Sequence, residues 1–117
     1  MNGKTLLLLL AAIVGAMLWQ HGRVPGRNDP RVETGTDGIV LLSAQWCGYC
    51  KALRASLTAH SVPFREIDVE TSAQGSQMYR SLHGHGIPIL VVGQNIVYGY
   101  DEQQISALLK PLGFRID

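Results

Sequence analysis

The chain has 117 residues and a formal net charge of +1, from ten Lys and Arg against nine Asp and Glu. That length leaves room for one small domain, not a multidomain enzyme, and the balanced charge gives no electrostatic footprint for nucleic acid. Hydrophobic residues crowd the first 20 positions, and between 21 and 37 only Val24 and Val32 are apolar, so the folded unit is expected over residues 38–117.

Residues 6–19 carry no charge and follow Lys4, which predicts a secretory signal peptide or a membrane anchor over residues 1–20. The run is shorter than the ~20 residues a spanning helix needs. Val14-Gly15-Ala16 resembles a small-residue cleavage site, so both fates stay open. Arg23, Arg27 and Arg31 follow the apolar run and Lys4 precedes it, so the distribution of positive charge does not place the domain on one side. Export is the expected course, with the domain anchored or free in an extracytoplasmic, periplasmic setting; an anchor facing the cytoplasm is the alternative. Residues 21–37, with Gly22, Pro25, Gly26, Pro30 and Gly35, are expected to form a flexible linker.

Gly38 to Ser43 is a short apolar run, as a strand buried on both faces requires. Helix formers after Cys50 predict a helix that ends before Pro63. Phe64 to Val69 reads as a second strand, and Ser72 to His83 as a helix with Met78 and Leu82 on one face. Ile89–Val92 and Ile96–Tyr98 are apolar runs joined by a connection short enough for an antiparallel hairpin. Asp101 starts a last helix with Gln104 as a capping partner, and Ile105, Leu108, Leu109 and Leu112 share its buried face. The predicted order is β-α-β-α-β-β-α.

The only cysteines are Cys47 and Cys50, at the junction of the first strand and first helix of that unit. A sulfur at a helix N-terminus meets free N–H groups and the positive end of the helix dipole, which favour the thiolate. Cys47 is therefore the expected nucleophile. Cys50, one turn deeper, is placed to attack the mixed disulfide and release the product. Trp46 would shield one side of the sulfur, and Tyr49 would shape the surface around it. A Cys-x-x-Cys pair is also half of a zinc site. Here that site would have to borrow His83 and His85, whose Gly-rich segment reads more simply as a solvated turn, so no metal is expected. Pro88 lacks a ladder donor and suits the first position of a strand, leaving the Ile87 backbone open to a bound peptide. Asp101 reads first as a helix N-cap.

Taken together, Trp46-Cys47-Gly48-Tyr49-Cys50-Lys51 after a strand, Ile67-Asp68-Val69, Gly86-Ile87-Pro88-Ile89-Leu90-Val91-Val92 and Gly99-Tyr100-Asp101-Glu102 resemble the glutaredoxin family over roughly residues 38–117. The resemblance implies an α/β, thioredoxin-like three-layer fold with a four-stranded mixed sheet. It implies a thiol-disulfide oxidoreductase without a tightly bound cofactor, using glutathione as co-substrate and disulfide-containing proteins as partners. It also implies a cis Ile87-Pro88 bond facing Cys47, with Trp46, Tyr49, Ile87, Pro88 and Asp101 around the bound thiol and Asp101 near the γ-glutamyl end of glutathione. Two departures stand out. The position where the family commonly carries a lysine for the glycyl carboxylate is Ala44, and Gly48 replaces the commonest proline. The alternatives are a glutathione-independent protein disulfide reductase or oxidase, and a module sharing an iron-sulfur cluster between two chains.

Overall fold

The computed structural model describes residues 2–21, 26 and 28–116, with the backbone alone for residues 18–21. The elements are α1 (Gly3–His21), α2 (Pro30–Thr34), β1 (Ile39–Ser43), α3 (Gly48–Ala59), β2 (Arg65–Asp68), α4 (Ala73–Ser81), β3 (Ile89–Val92), β4 (Asn95–Tyr98), α5 (Glu102–Leu109) and a closing 3-10 turn at Lys110–Leu112. From β1 onward the order is the expected β-α-β-α-β-β-α.

The sheet runs β2-β1-β3-β4, with β1 parallel to β2 and antiparallel to β3, and β3 antiparallel to β4. β1 is central and buried along its whole length. Successive strand residues point to opposite faces. Ile39, Leu41, Leu90, Val92 and Val97 therefore meet Leu53 and Leu57 of α3 and Ile105 and Leu109 of α5 on one side. Val40, Leu42, Ile67, Ile89 and Val91 meet Met78 and Leu82 on the other. This is the three-layer α/β arrangement that the family resemblance implied.

The turns follow the sequence. Gly93 and Gln94 join β3 to β4, and Gly93 takes φ +58°, which glycine adopts without steric cost at the first position of a two-residue hairpin loop. At Gly75 a Cβ would strike the Asp68 carbonyl and the Ile67 side chain, so glycine is what lets α4 lie against the end of β2. Ser72 caps α4 by accepting the Gly75 N–H at 3.1 Å.

The linker expectation is corrected over its second half; residues 22–25 and 27 lie outside the described residues. Asp29 is buried, accepts the Arg31 N–H at 2.9 Å as the N-cap of α2, and pairs with the Arg31 guanidinium at 2.6 Å. Pro30 is fully buried, and the Thr34 hydroxyl donates to the Gly93 carbonyl. Gln94 Nε2 reaches the Arg31 and Gly35 carbonyls at 2.9 and 2.6 Å, Glu33 pairs with Arg65, and Ser81 Oγ donates to the Asn28 carbonyl at 3.0 Å. The composition argument counted apolar area, whereas this segment is held by backbone carbonyls and ion pairs contributed by β2, α4 and the β3–β4 turn.

In α1, Leu6–Leu10, Ile13, Val14 and Met17 are exposed. Among the described residues no helix is long and apolar enough to cross a membrane.

Candidate functional site

β1 ends at Ser43, and a tight turn closed by the Cys47 N–H on the Ala44 carbonyl at 3.2 Å delivers Cys47 to the start of α3. Cys47 is the N-cap, with extended backbone, and its sulfur accepts the Cys50 N–H at 3.2 Å. A side chain at that position takes one of the helix's orphan donors. Cys47 and Cys50 are joined as a disulfide with Cα atoms 5.2 Å apart. Cys50 is fully enclosed, whereas Cys47 keeps 4% of its surface. The outer sulfur is thus the one a second molecule can reach.

Opposite it stands the segment before β3. The Ile87-Pro88 peptide is cis, as the family resemblance implied, and the Ile87 carbonyl oxygen lies 3.9 Å from Cys47 Sγ. Ala44, Cys47, Cys50 and Ile87 pack as one apolar cluster. Three contacts hold this segment. Gly99 N–H donates to the Pro88 carbonyl at 2.8 Å, the Gly86 N–H donates to Tyr79 Oη at 2.8 Å, and Tyr98 Oη donates to the Leu82 carbonyl at 2.9 Å. The contacts of Tyr79 and Tyr98 escaped the sequence reading because an isolated tyrosine gives no signal of which backbone group it will meet.

The two aromatic residues of the motif flank the pair and are both largely exposed. Trp46 Nε1 donates to the Glu70 carboxylate at 2.7 Å. Tyr49 stacks on Tyr100 with ring centroids 6.5 Å apart, which joins the start of α3 to the start of α5. Burial, and then the bond to Glu102, pushes the Tyr100 phenol up. Asp101 caps α5, accepting the Gln104 N–H at 3.1 Å, as the capping pattern predicted. Its side chain is exposed on the same rim as Tyr100.

Behind α3, Arg54 pairs with Glu66 of β2, which also accepts from Ser43 Oγ at 2.7 Å. The Arg54 guanidinium, helped by the Ser43 hydroxyl, holds the Glu66 carboxyl below the usual range against the opposing effect of burial. Arg54 thus has a specific partner that its place on a helix surface could not disclose. His60 ends α3, with Nδ1 2.8 Å from the Ser56 carbonyl.

Two grooves flank Ile87. One of about 490 Å³ is lined by Leu82, His83, His85, Ile87 and Tyr98; the other, about 410 Å³, by Trp46, Val69, Glu70, Tyr79 and Ile87. His83 and His85 therefore line a groove and do not join the cysteines: among the described residues no group of three or more His, Cys, Asp or Glu is placed to hold a metal ion.

A cysteine pair at the N-terminus of a helix, facing the backbone of a cis-proline segment at one end of a four-stranded mixed sheet, defines a protein of the thioredoxin-like fold. Within that fold the chain belongs to the glutaredoxin family, whose family model, Glutaredoxin, matches residues 39–97. Two curated relatives from Mycobacterium tuberculosis, each named "Putative glutaredoxin", one from strain CDC 1551 / Oshkosh and one from ATCC 25618 / H37Rv, are 31% identical to it over 49 residues, 42% of this chain. The chain spans 58% of the length of those relatives. Among solved structures it is similar to the glutaredoxin (grx-1) from Archaeoglobus fulgidus, with TM-score 0.58, 21% identity, and 73% of this chain and 98% of that one covered. It is also similar to the buckwheat glutaredoxin-glutathione complex, with TM-score 0.58, 18% identity, and 70% and 81% covered. A third is the glutaredoxin-like protein NrdH-redoxin from Escherichia coli, with TM-score 0.55, 18% identity, and 60% and 92% covered. At these identities the three structures bear on the fold.

Proposed function

We propose that the protein is a thiol-disulfide oxidoreductase in which Cys47 attacks and Cys50 resolves. The observation that carries this is the position of Cys47 Sγ, which accepts the Cys50 N–H and is bonded to Cys50, on the less enclosed of the two cysteines. In the reduced protein the Cys47 thiolate attacks a substrate disulfide, forms a mixed disulfide and expels one substrate thiolate, which takes up a proton. Cys50 then gives up its proton and attacks Cys47 Sγ. The second substrate thiol leaves with that proton and the Cys47–Cys50 disulfide forms, so two electrons pass from protein to substrate, with one proton from Cys50 and the other from solvent. Run backwards, the same steps oxidise a dithiol; the direction follows from the relative reduction potentials.

Glutathione is the proposed co-substrate that returns the pair to the dithiol, and disulfide-containing proteins are the proposed partners. Support comes from membership of the family and from the rim formed by Tyr49, Tyr100 and Asp101 beside the cysteines. A second reading, exchange with protein disulfides independent of glutathione, is favoured by Ala44, which is buried and uncharged, and by Glu70, a carboxylate lining one groove. Residues 1–20 are proposed as a signal peptide or membrane anchor that carries the domain out of the cytoplasm, on the support of the uncharged leucine-rich run.

Cys47→Ser is expected to abolish disulfide exchange, and Cys50→Ser to accumulate a mixed disulfide visible by mass spectrometry. Full turnover by Cys47→Ser ends the reading. Omitting glutathione from an otherwise complete assay separates the two reductant readings. Amino-terminal sequencing of the protein recovered from membrane and soluble fractions decides the fate of the leader.

A further inference from the structure

The groove beside Trp46 has a chemical bias that the cysteines do not explain. Its walls are Trp46, Val69, Tyr79 and Ile87, and it shares Ile87 with the Cys47 sulfur. Among the described residues, Glu70 is its one charged lining side chain, and no Lys, Arg or His lines it. Trp46 Nε1 fixes Glu70 Oε1 at 2.7 Å and leaves the other carboxylate oxygen for a ligand. The backbone donors that could hold an anion in this turn are already taken, because the Glu70 and Thr71 N–H groups both donate to Asp68 Oδ1, at 2.8 and 2.9 Å. On the elements beside this turn, Arg54 of α3 is paired with Glu66, and Arg65 of β2 with Glu33 and Gln74. Glu70 therefore places a negative charge in a groove that shares Ile87 with the reactive sulfur, over an apolar floor that suits the methylenes of a long basic side chain.

We propose that this groove selects disulfides in peptides whose cysteine is flanked by lysine or arginine, with Glu70 as the specificity-determining residue, and that it disfavours thiols carrying a carboxylate there. The inference rests on the exchange reading above and names its substrate class. The basic side chain lies along Trp46 and Val69 and places its charge on the free Glu70 oxygen, while the substrate sulfur meets Cys47.

The test uses the reduced full chain and three peptides that differ only in having Lys, Gln or Glu beside one cysteine, each as its mixed disulfide with thionitrobenzoate. The Cys47 thiolate attacks the peptide sulfur and expels coloured thionitrobenzoate; Cys50 then releases the peptide thiol, leaving the Cys47–Cys50 disulfide. The Lys peptide is expected to react roughly fivefold faster than the Glu peptide at low salt, the size an exposed ion pair supports. The Gln peptide falls between them, and the ratio approaches one at about 0.5 M salt, where screening is short-ranged. Glu70→Gln keeps an acceptor for Trp46 but removes the charge, so it lowers the Lys-to-Glu ratio; Glu70→Lys inverts it. No preference in the wild-type chain, or a ratio that Glu70→Gln leaves unchanged, overturns the inference while the exchange reading stands. Failure to release thionitrobenzoate from any of the three peptides sinks both.

Discussion

Cys47 Sγ sits between two backbone groups, the Cys50 N–H at 3.2 Å on its own helix and the Ile87 carbonyl at 3.9 Å on the far side of the site. One group donates to the sulfur and favours its negative charge. The other offers an incoming peptide an acceptor beside the attacking atom.

The same geometry predicts unequal thiols after reduction. Cys47 is expected to be alkylated by iodoacetamide at least tenfold faster than Cys50 at pH 7, since the thiolate is the reactive form and Cys50 is enclosed. Peptide mapping after brief alkylation reads the ratio. Equal labelling of both cysteines contradicts the assignment of roles.

The start of the domain lies further upstream than residue 38. Asp29→Ala removes the cap of α2 and the partner of Arg31, and is expected to cost about 1 kcal/mol. A truncation beginning at Asn28 should unfold at nearly the urea midpoint of the full chain, whereas one beginning at Gly38 loses Pro30, Thr34 and the Gln94 contacts and unfolds earlier. Matching midpoints for the two truncations would mean that α2 contributes nothing.

Tyr49 and Tyr100 tie the start of α3 to that of α5, and a stacked pair of this kind contributes roughly 0.5–1.5 kcal/mol. Tyr49→Ala and Tyr100→Ala are each expected to destabilise, and the double variant to cost less than the sum of the two. A double-mutant cycle by urea denaturation reads the coupling, and strict additivity would show that the rings do not stabilise each other.

Glu66 predicts a pH dependence of definite sign. Its carboxyl is held below the usual range by Arg54 first and by Ser43, so its contribution to stability is present above the unfolded-state value of about 4.3 and is lost as pH falls through the lower folded-state value. Asp29, lowered chiefly by Arg31, acts in the same direction. Both pairs touch solvent, so the loss is modest. Unfolding midpoints measured from pH 6 to pH 3 should fall less steeply in Glu66→Gln than in the wild-type chain; identical slopes would remove Glu66 from the account.

Gly75→Ala places a methyl group against the Asp68 carbonyl and the Ile67 side chain, although alanine is the better helix former. The close approach is expected to win, with a net loss of about 1 kcal/mol or more. A gain in thermal midpoint would show that α4 can shift away from β2 at little cost.

Local pattern and chemistry reached far into this protein from its sequence alone. Apolar runs bounded by turn residues placed β1, β3 and β4, Phe64 to Val69 marked β2, the spacing of Ile105 and Leu109 found the buried face of α5, and Asp101 with Gln104 marked its cap. Cys47 and Cys50, with Gly86-Ile87-Pro88, pointed to the site because strand ends, helix starts and a proline at a strand's first position are local events with local signatures. Tertiary structure alone decided that Asn28 to Gly38 packs against the domain, that Glu70 bonds Trp46, that Tyr49 meets Tyr100, and that Glu66 lies within reach of both Arg54 and Ser43. Those pairings join residues on different elements, and their partners follow from strand register and helix packing, which no window of sequence contains. A five-residue helix such as α2 has too little propensity to form by itself and exists where the sheet and the β3–β4 turn supply its partners.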